Sequence, residues 1–217
     1  AFKNCANLTG IEIPGGVTYI GDGAFRSCSS LTDIEIPSGV TCIGEHTFNN
    51  CGSLTSIKIP DDVTSIGDGA FSSCSSLTSV TIPDGVTSIS DWAFSGCSSL
   101  TSIKIPDGVT SIGYHAFSSC KSLASISIPE SVTYINAGAF SSCANLTSIY
   151  FSGNAPVMES STFFRVTATA YYPADDPTWT ADVMQDYQGQ ITWVPYSSKP
   201  FADVPAGAYY EAPVLWA

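Results

Sequence analysis

Cysteine, histidine and carboxylate side chains recur in this chain at fixed spacings, and these are the side chains that coordinate metals, form disulfides or catalyse reactions. Seven of the eight cysteines are 23 residues apart, namely Cys5, Cys28, Cys51, Cys74, Cys97, Cys120 and Cys143. The two histidines, His46 and His115, share another column with the same step. A period of this size indicates one short structural unit stacked on copies of itself.

The periodic cysteines are predicted to be buried, reduced thiols. Equivalent residues on neighbouring coils would have Cβ atoms roughly 4.8 Å apart, whereas a disulfide prefers about 3.8 Å. One cysteine per coil is also a poor zinc site, because tetrahedral coordination needs four converging ligands. Cys42 lies outside the column, directly before an inward-facing isoleucine, and is predicted to be an exposed free thiol. No metal or other cofactor is predicted.

The remaining polar columns do not combine into a catalytic site. His46 and His115 are three coils apart, roughly 14 Å at the strand spacing, so they cannot share a metal or form a catalytic pair. The many serines have no histidine or carboxylate beside them to act as a base, and we predict no enzyme. Two acidic columns suit either calcium coordination or solvated turns, and we favour the turns. Their members are Asp22, Glu45, Asp68 and Asp91, and Asp61, Asp84, Asp107 and Glu130.

Two short extended segments and a turn would position these side chains in every unit. Residues 11–13 and their equivalents alternate apolar and polar side chains, which is typical of a half-buried strand, and a proline follows each of them. A second extended piece, V-T-S-I-G, leads to A-F-S-S-C, which suits a turn or one 3₁₀ loop. The Leu, Ile, Val, Ala, Phe and Cys columns form the interior. The predicted fold is mainly β, a right-handed solenoid of 23-residue coils with parallel sheets.

The repeats divide the chain into three predicted parts. The solenoid covers residues 1–168, with six complete copies in 8–145 and a degraded seventh in 146–168. Residues 169–196 are predicted to form a small α+β cap, with strands at 169–172 and 191–194 and a helix at 178–188, because a last coil exposes its apolar end and a sheet edge. Residues 197–217 are a linker and a partial further module. The sequence begins inside a unit, so we expect a fragment of a longer protein.

The consensus L-x-x-I-x-I-P-x-x-V-x-x-I-x-x-x-A-F-x-x-C-x-x resembles the BspA-type class of leucine-rich repeats. That resemblance implies a leucine-rich-repeat solenoid in an extracellular bacterial surface protein, chiefly non-enzymatic and associated with adhesion. Residues 201–217 resemble the opening of an S-layer homology domain. This second resemblance implies anchoring to a cell-wall polymer, but only through the remainder of such a domain, so the partial segment should not itself anchor.

Charge and surface composition limit the classes of molecule that this chain is expected to bind. Seven Lys and Arg against nineteen Asp and Glu give a net charge of -12, which disfavours nucleic acid and anionic lipid. No stretch approaches the roughly 20 apolar residues that span a bilayer, so no membrane insertion is predicted. Trp92, Tyr114 and His115 cluster on neighbouring coils and are the candidate protein-binding residues, with local packing over a turn as the alternative. The predicted function is a surface array that binds host matrix or bacterial surface proteins. The alternative is a passive spacer or an S-layer-associated scaffold.

Overall fold

The computed structural model describes residues 1–197, which contain short β-strands and no helix. No segment of this part is a helix long and apolar enough to cross a membrane. The strands are β1 (Cys42–Ile43), β2 (Ser56–Ile57), β3 (Ser65–Ile66), β4 (Ser79–Val80), β5 (Ser88–Ile89), β6 (Ser111–Ile112), β7 (Ser125–Ile128), β8 (Tyr134–Ile135), β9 (Ser148–Phe151), β10 (Val157–Met158), β11 (Thr167–Pro173) and β12 (Gln190–Tyr196).

The strands occupy two recurring positions of the repeat, although some coils have only one of them, and they pair in parallel with the equivalent strand of a neighbouring coil. One sheet has the order β10-β8-β6-β5 and another the order β12-β11-β9-β7, while β1-β3 and β2-β4 are the corresponding pairs in earlier coils. Ser88 pairs with Ser111 and Ser111 with Tyr134, so the 23-residue step of the sequence is the register of the sheet. The predicted parallel solenoid is confirmed.

Stacked side chains of one type fill the interior. Phenylalanine rings form a continuous column from Phe2 to Phe163, with neighbouring ring centroids 5.4–5.9 Å apart and the rings nearly parallel. Every ring of this column from Phe25 onward is buried, and so are the leucines from Leu31 to Leu146. Burying one such side chain contributes about 1.5–3 kcal/mol, so the coils are held together by many similar increments.

The A-F-S-S-C segment forms the predicted turn, and its backbone bonds connect coils. The N–H of Phe48 donates to the carbonyl of Ala70 in the next coil at 2.7 Å, while the N–H of Cys51 donates to the carbonyl of Phe48 at 3.1 Å. The same two bonds recur at Phe71 and Cys74. Backbone groups outside the short strands are therefore satisfied by a neighbouring coil or within the turn.

The prediction of an α+β cap is wrong, because residues 178–188 form turns and not a helix. The two strands predicted around this segment are present as β11 and β12, and they pair in parallel with each other. β11 also pairs with β9, Ala170 lying opposite Ile149. These residues therefore continue the solenoid sheet. The segment between β11 and β12 forms the rest of one coil, and it does so with turns where a helix was predicted.

Local contacts explain the absent helix. The Asp176 carboxylate accepts bonds from the N–H and hydroxyl of Thr178, at 2.8 and 2.6 Å, which stabilises a turn at the predicted helix start. Trp179 is buried against Phe151, with ring centroids 4.8 Å apart, and its Nε1–H donates to the carbonyl of Gly153 at 3.0 Å. Tertiary packing thus outweighs a weak local helix preference. Of the predicted linker and partial S-layer homology segment, residues 198–217 lie outside the described residues.

Candidate protein-binding surface

The residue column that contains Trp92 has a left-handed backbone. Its members Gly23, His46, Gly69, Trp92, His115 and Gly138 all have positive φ, from 51° at His115 to 67° at Gly138. Glycine tolerates this conformation freely, whereas other L-residues lose roughly 1–2 kcal/mol in it. Half of the column is glycine, as expected. The three large side chains at the other positions are therefore kept against a conformational cost.

Trp92, Tyr114 and His115 lie in contact, as their sequence positions predict. The Trp92 and Tyr114 rings meet edge to face with centroids 5.1 Å apart, and the Tyr114 and His115 rings do so at 4.1 Å. Trp92 is 41% exposed and Tyr114 is 37% exposed, while His115 is half-buried. The N–H of Trp92 donates to the carbonyl of Tyr114 at 2.8 Å, so the backbone fixes the pair. We call these three residues the aromatic patch.

The acidic column Asp22, Glu45, Asp68 and Asp91 runs along the same turns and leads to the aromatic patch. Three of its carboxylates accept a backbone N–H from the next coil: Asp22 from Glu45 at 2.9 Å, Asp68 from Asp91 at 3.2 Å, and Asp91 from Tyr114 at 2.6 Å. Residues 1–197 contain no group of three or more His, Cys, Asp or Glu that could hold a metal ion. The observed role of these carboxylates is to join coils.

Glycines in the following coil allow these carboxylates to approach the backbone closely. Their role was not predicted from the sequence. A Cβ added at Gly44 would lie 2.6 Å from Asp22 Oδ1, and one added at Gly113 would lie 2.6 Å from Asp91 Oδ1. Both residues are the recurring glycine at the end of V-T-S-I-G, and this recurrence is the feature of the sequence that could have indicated a close approach between coils. Gly113 therefore permits Asp91 to reach the backbone of Tyr114 and thereby helps to place the aromatic patch.

His46 and His115 each lie over a glycine of the following coil. A Cβ at Gly69 would be 2.5 Å from His46 Nδ1, and one at Gly138 would be 2.4 Å from His115 Cε1. His46 Nδ1 is buried and has no hydrogen-bond partner. The two histidines occupy separate coils of one column, with Gly69 and Trp92 between them in sequence order. His115 belongs to the aromatic patch through its ring contact with Tyr114, whereas His46 lies three coils away from His115 in the same column.

The periodic cysteines are free thiols that bond to the preceding coil. Cys51, Cys74, Cys97, Cys120 and Cys143 each donate through Sγ to a phenylalanine carbonyl 26 residues earlier, at 3.0–3.2 Å. Desolvation raises the pKa of the Cys51 and Cys143 thiols to about 12, although the backbone bond opposes this shift. A thiol held neutral in this way is a poor nucleophile and a poor metal ligand.

The prediction that all seven periodic cysteines are buried is wrong at one position. Cys5 is exposed, whereas the other six are buried. The physical reason is that the preceding coil provides both the burial and the acceptor of the Sγ bond, and the described residues include no coil before that of Cys5. Cys42 is half-buried in β1, where it pairs with Ser65. Its reactivity stays a prediction.

A sequence profile described as a BspA type leucine rich repeat region (6 copies) matches residues 1–94 and 66–172. The two matches together cover more than half of the chain and all of its clear repeats. The chain belongs to the BspA-type leucine-rich-repeat family.

Two solved structures support this assignment. A leucine-rich repeat protein from Bacteroides ovatus ATCC 8483 is 30% identical, with a TM-score of 0.70 over 89% of this chain. This chain spans 53% of that protein's chain. The leucine rich repeat protein TpLRR of T. pallidum is 28% identical, with a TM-score of 0.64 over 86% of this chain and 87% of its own. A search of curated proteins gives no match.

Proposed function

We propose that this BspA-type repeat protein is a non-enzymatic array on the bacterial cell surface, and that its aromatic patch binds another protein. The ligand class is a host matrix protein or a protein of a neighbouring bacterial surface. Surface location and adhesion are the properties that the family resemblance implies. Attachment to a cell-wall polymer is proposed to depend on the remainder of an S-layer homology domain, of which residues 201–217 resemble only the opening.

Trp92 is exposed in a left-handed backbone position where three of the equivalent coils have glycine, namely Gly23, Gly69 and Gly138, and this observation is the main support for the proposal. Folding alone would favour glycine there, because glycine adopts a positive φ without steric cost. Tryptophan and tyrosine are also the residues that dominate binding energy at protein interfaces. A large aromatic side chain that is costly for the backbone and accessible to solvent is best explained by contact with a partner.

The alternative is a passive spacer or S-layer-associated scaffold, and the outer face of the first strand position favours it. That face carries small hydroxyl side chains in successive coils, including Ser56, Ser79 and Ser102, all exposed. A flat surface of this kind offers few anchors to a protein. Near-identical coils also provide length without creating a distinct epitope, which is what a spacer requires.

Binding to purified extracellular-matrix proteins distinguishes the two functions. The parent chain, the double variant Trp92→Gly/Tyr114→Ala and the control Ser79→Ala would be compared by biolayer interferometry, with thermal melts to monitor folding. The proposal expects the double variant to lose at least about tenfold in affinity, because interface aromatics often contribute 2 kcal/mol or more. Ser79→Ala should bind like the parent. Equal binding by all three proteins would show that the aromatic patch is not the binding site. No binding by any of them would favour the spacer function.

A further inference from the structure

We infer that the partner recognised by the aromatic patch is a basic segment of a protein, with an Arg or Lys side chain placed against Trp92. This inference rests on the proposed function and adds the chemical class of the ligand.

The exposed aromatic rings can accept a cation. Trp92 is 41% exposed, and its ring meets Tyr114 edge to face at 80°, so the pair does not stack face to face. Tyr114 in turn meets His115 at 87°. A tryptophan face is the preferred aromatic surface for Arg and Lys, which it attracts through the negative charge of the ring face. An accessible Trp92 can therefore bind a cationic side chain.

The charges next to Trp92 in its turn are negative, whereas Lys104 and Lys121 of the following coil lie at other positions of the repeat. Between Lys58 and Lys104 the sequence has no Lys or Arg and contains five aspartates, which are Asp61, Asp62, Asp68, Asp84 and Asp91. Asp91 directly precedes Trp92, and its Oδ1 lies 2.6 Å from the N–H of Tyr114, so a carboxylate is fixed beside the aromatic pair. This field attracts a basic segment and repels acidic or phosphorylated ones.

Local geometry makes the arrangement rigid. Gly113 leaves room for Asp91 Oδ1, and the N–H of Trp92 donates to the carbonyl of Tyr114 at 2.8 Å. The carboxylate and the backbone that carries both rings are therefore held in place before any ligand binds. Preorganisation of this kind reduces the entropy that binding would otherwise lose.

The chain contains a matched control for charge. Asp22 accepts a backbone N–H from Glu45 at 2.9 Å, as Asp91 does from Tyr114, but Asp22 lies three coils from Trp92. Asp91→Asn and Asp22→Asn each remove one negative charge and keep a side-chain oxygen to accept the bond. Trp92→Gly removes the ring at a position where the preceding coil already has a glycine with positive φ, Gly69.

The experiment measures binding of a deca-arginine peptide by isothermal titration calorimetry at two salt concentrations. Trp92→Gly is expected to weaken binding about tenfold, since cation–π contact with a desolvated ring is strong. Asp91→Asn should weaken it about threefold and reduce its salt dependence, while Asp22→Asn should leave it unchanged. Thermal melts of all variants check that the fold is retained.

Several outcomes would overturn the inference. Equal losses in Asp22→Asn and Asp91→Asn, with none in Trp92→Gly, would mean that the peptide responds only to net charge. Trp92-dependent binding of deca-glutamate or of the neutral polysaccharide dextran would assign the patch to another ligand class. Trp92-dependent binding of a matrix protein without deca-arginine binding would reject the basic ligand but leave the proposed function standing. No effect of Trp92→Gly on any ligand would reject both.

Discussion

Glycine at position 113 illustrates how one small residue controls contact between coils. A Cβ there would lie 2.6 Å from Asp91 Oδ1 and 2.7 Å from the backbone N of Asp91, and a backbone atom cannot move aside cheaply. Gly108 has a different environment, because its added Cβ would meet only the carbonyl oxygen of Asp84 at 3.5 Å. Two glycines only five residues apart should therefore differ in their tolerance of alanine.

We predict that Gly113→Ala lowers the free energy of unfolding by about 1–3 kcal/mol through overpacking. Gly108→Ala should be neutral or stabilise the protein by up to about 1 kcal/mol, because alanine restricts the unfolded chain. Urea denaturation of both variants measures the difference. Similar changes in the two would show that the close approach of Asp91 to the glycine is not required.

Thiol reactivity is a second property of single residues. We predict that Cys5, which is exposed, and Cys42, which is half-buried, react with an aromatic disulfide reagent in the native protein. The other six cysteines should react only after denaturation, because each is buried and desolvation disfavours the thiolate. Counting released chromophore at pH 8 before and after denaturation gives the result. The variants Cys5→Ser and Cys42→Ser should each remove one fast-reacting group, and a third fast group would contradict the assignment.

The column of buried cysteines should make the free energy of unfolding decrease as the pH rises above 9. The Cys51 and Cys143 thiols have folded pKa values of about 12, against an ordinary value of 9.0. Below pH 9 the folded and unfolded thiols are both protonated. Above pH 9 the unfolded thiols lose protons that the folded ones retain, so the free energy of unfolding falls until the folded thiols ionise near pH 12.

Each such thiol should contribute a loss of up to about 1.4 kcal/mol per pH unit above pH 9. Urea melts at pH 7, 8, 9 and 10 would measure the slope. The double variant Cys51→Ala/Cys143→Ala should be less stable at pH 7 and yet lose stability more slowly above pH 9. An unchanged slope in that variant would mean that these two thiols do not couple to folding.

The repeat elements could be predicted from the sequence because every column reports the same position many times. The strand pairs, the phenylalanine stack and the turn at A-F-S-S-C follow directly from the 23-residue period. Residues 178–188 occur only once, and there packing of Trp179 decided the local structure against the predicted helix. Local pattern is informative where neighbours repeat it and fails where one tertiary contact dominates.

In the aromatic patch, too, some features could be predicted from the repeat and others could not. Column spacing alone predicted that Trp92, Tyr114 and His115 would lie together on adjacent coils, and their rings are in contact. The positive φ of this column could have been inferred from its three glycines, but the contact between Asp91 and Tyr114 could not. Side-chain to backbone bonds between coils depend on distances that a periodic sequence does not contain.

Over the whole molecule, stability should be close to a sum of terms between adjacent coils, since the units of a solenoid pack mainly against their neighbours. At the last described coil the Tyr196 hydroxyl also donates to the carbonyl of Phe151, about two coils earlier. The last described coil differs from the others because β12 is an edge strand with Pro195 within it. Proline suits such an edge, where a missing N–H leaves no ladder bond unmade. Trp179 packs against both Phe151 and Trp193, with ring centroids 4.8 and 5.6 Å apart, and so closes this end.

We therefore predict that Trp179→Ala opens the end of the solenoid and leaves its centre closed. The loss of a buried tryptophan costs about 3–5 kcal/mol, but a nearest-neighbour stack should confine the effect to β11 and β12. Hydrogen exchange followed by mass spectrometry would show faster exchange in these strands and unchanged protection in β5 and β6. Thr180→Ala, at an exposed residue of the same segment, is the control and should resemble the parent. Equal loss of protection in β5 and β6 would mean that the solenoid opens as one cooperative unit, so that the surface around Trp92 would depend on a contact several coils away.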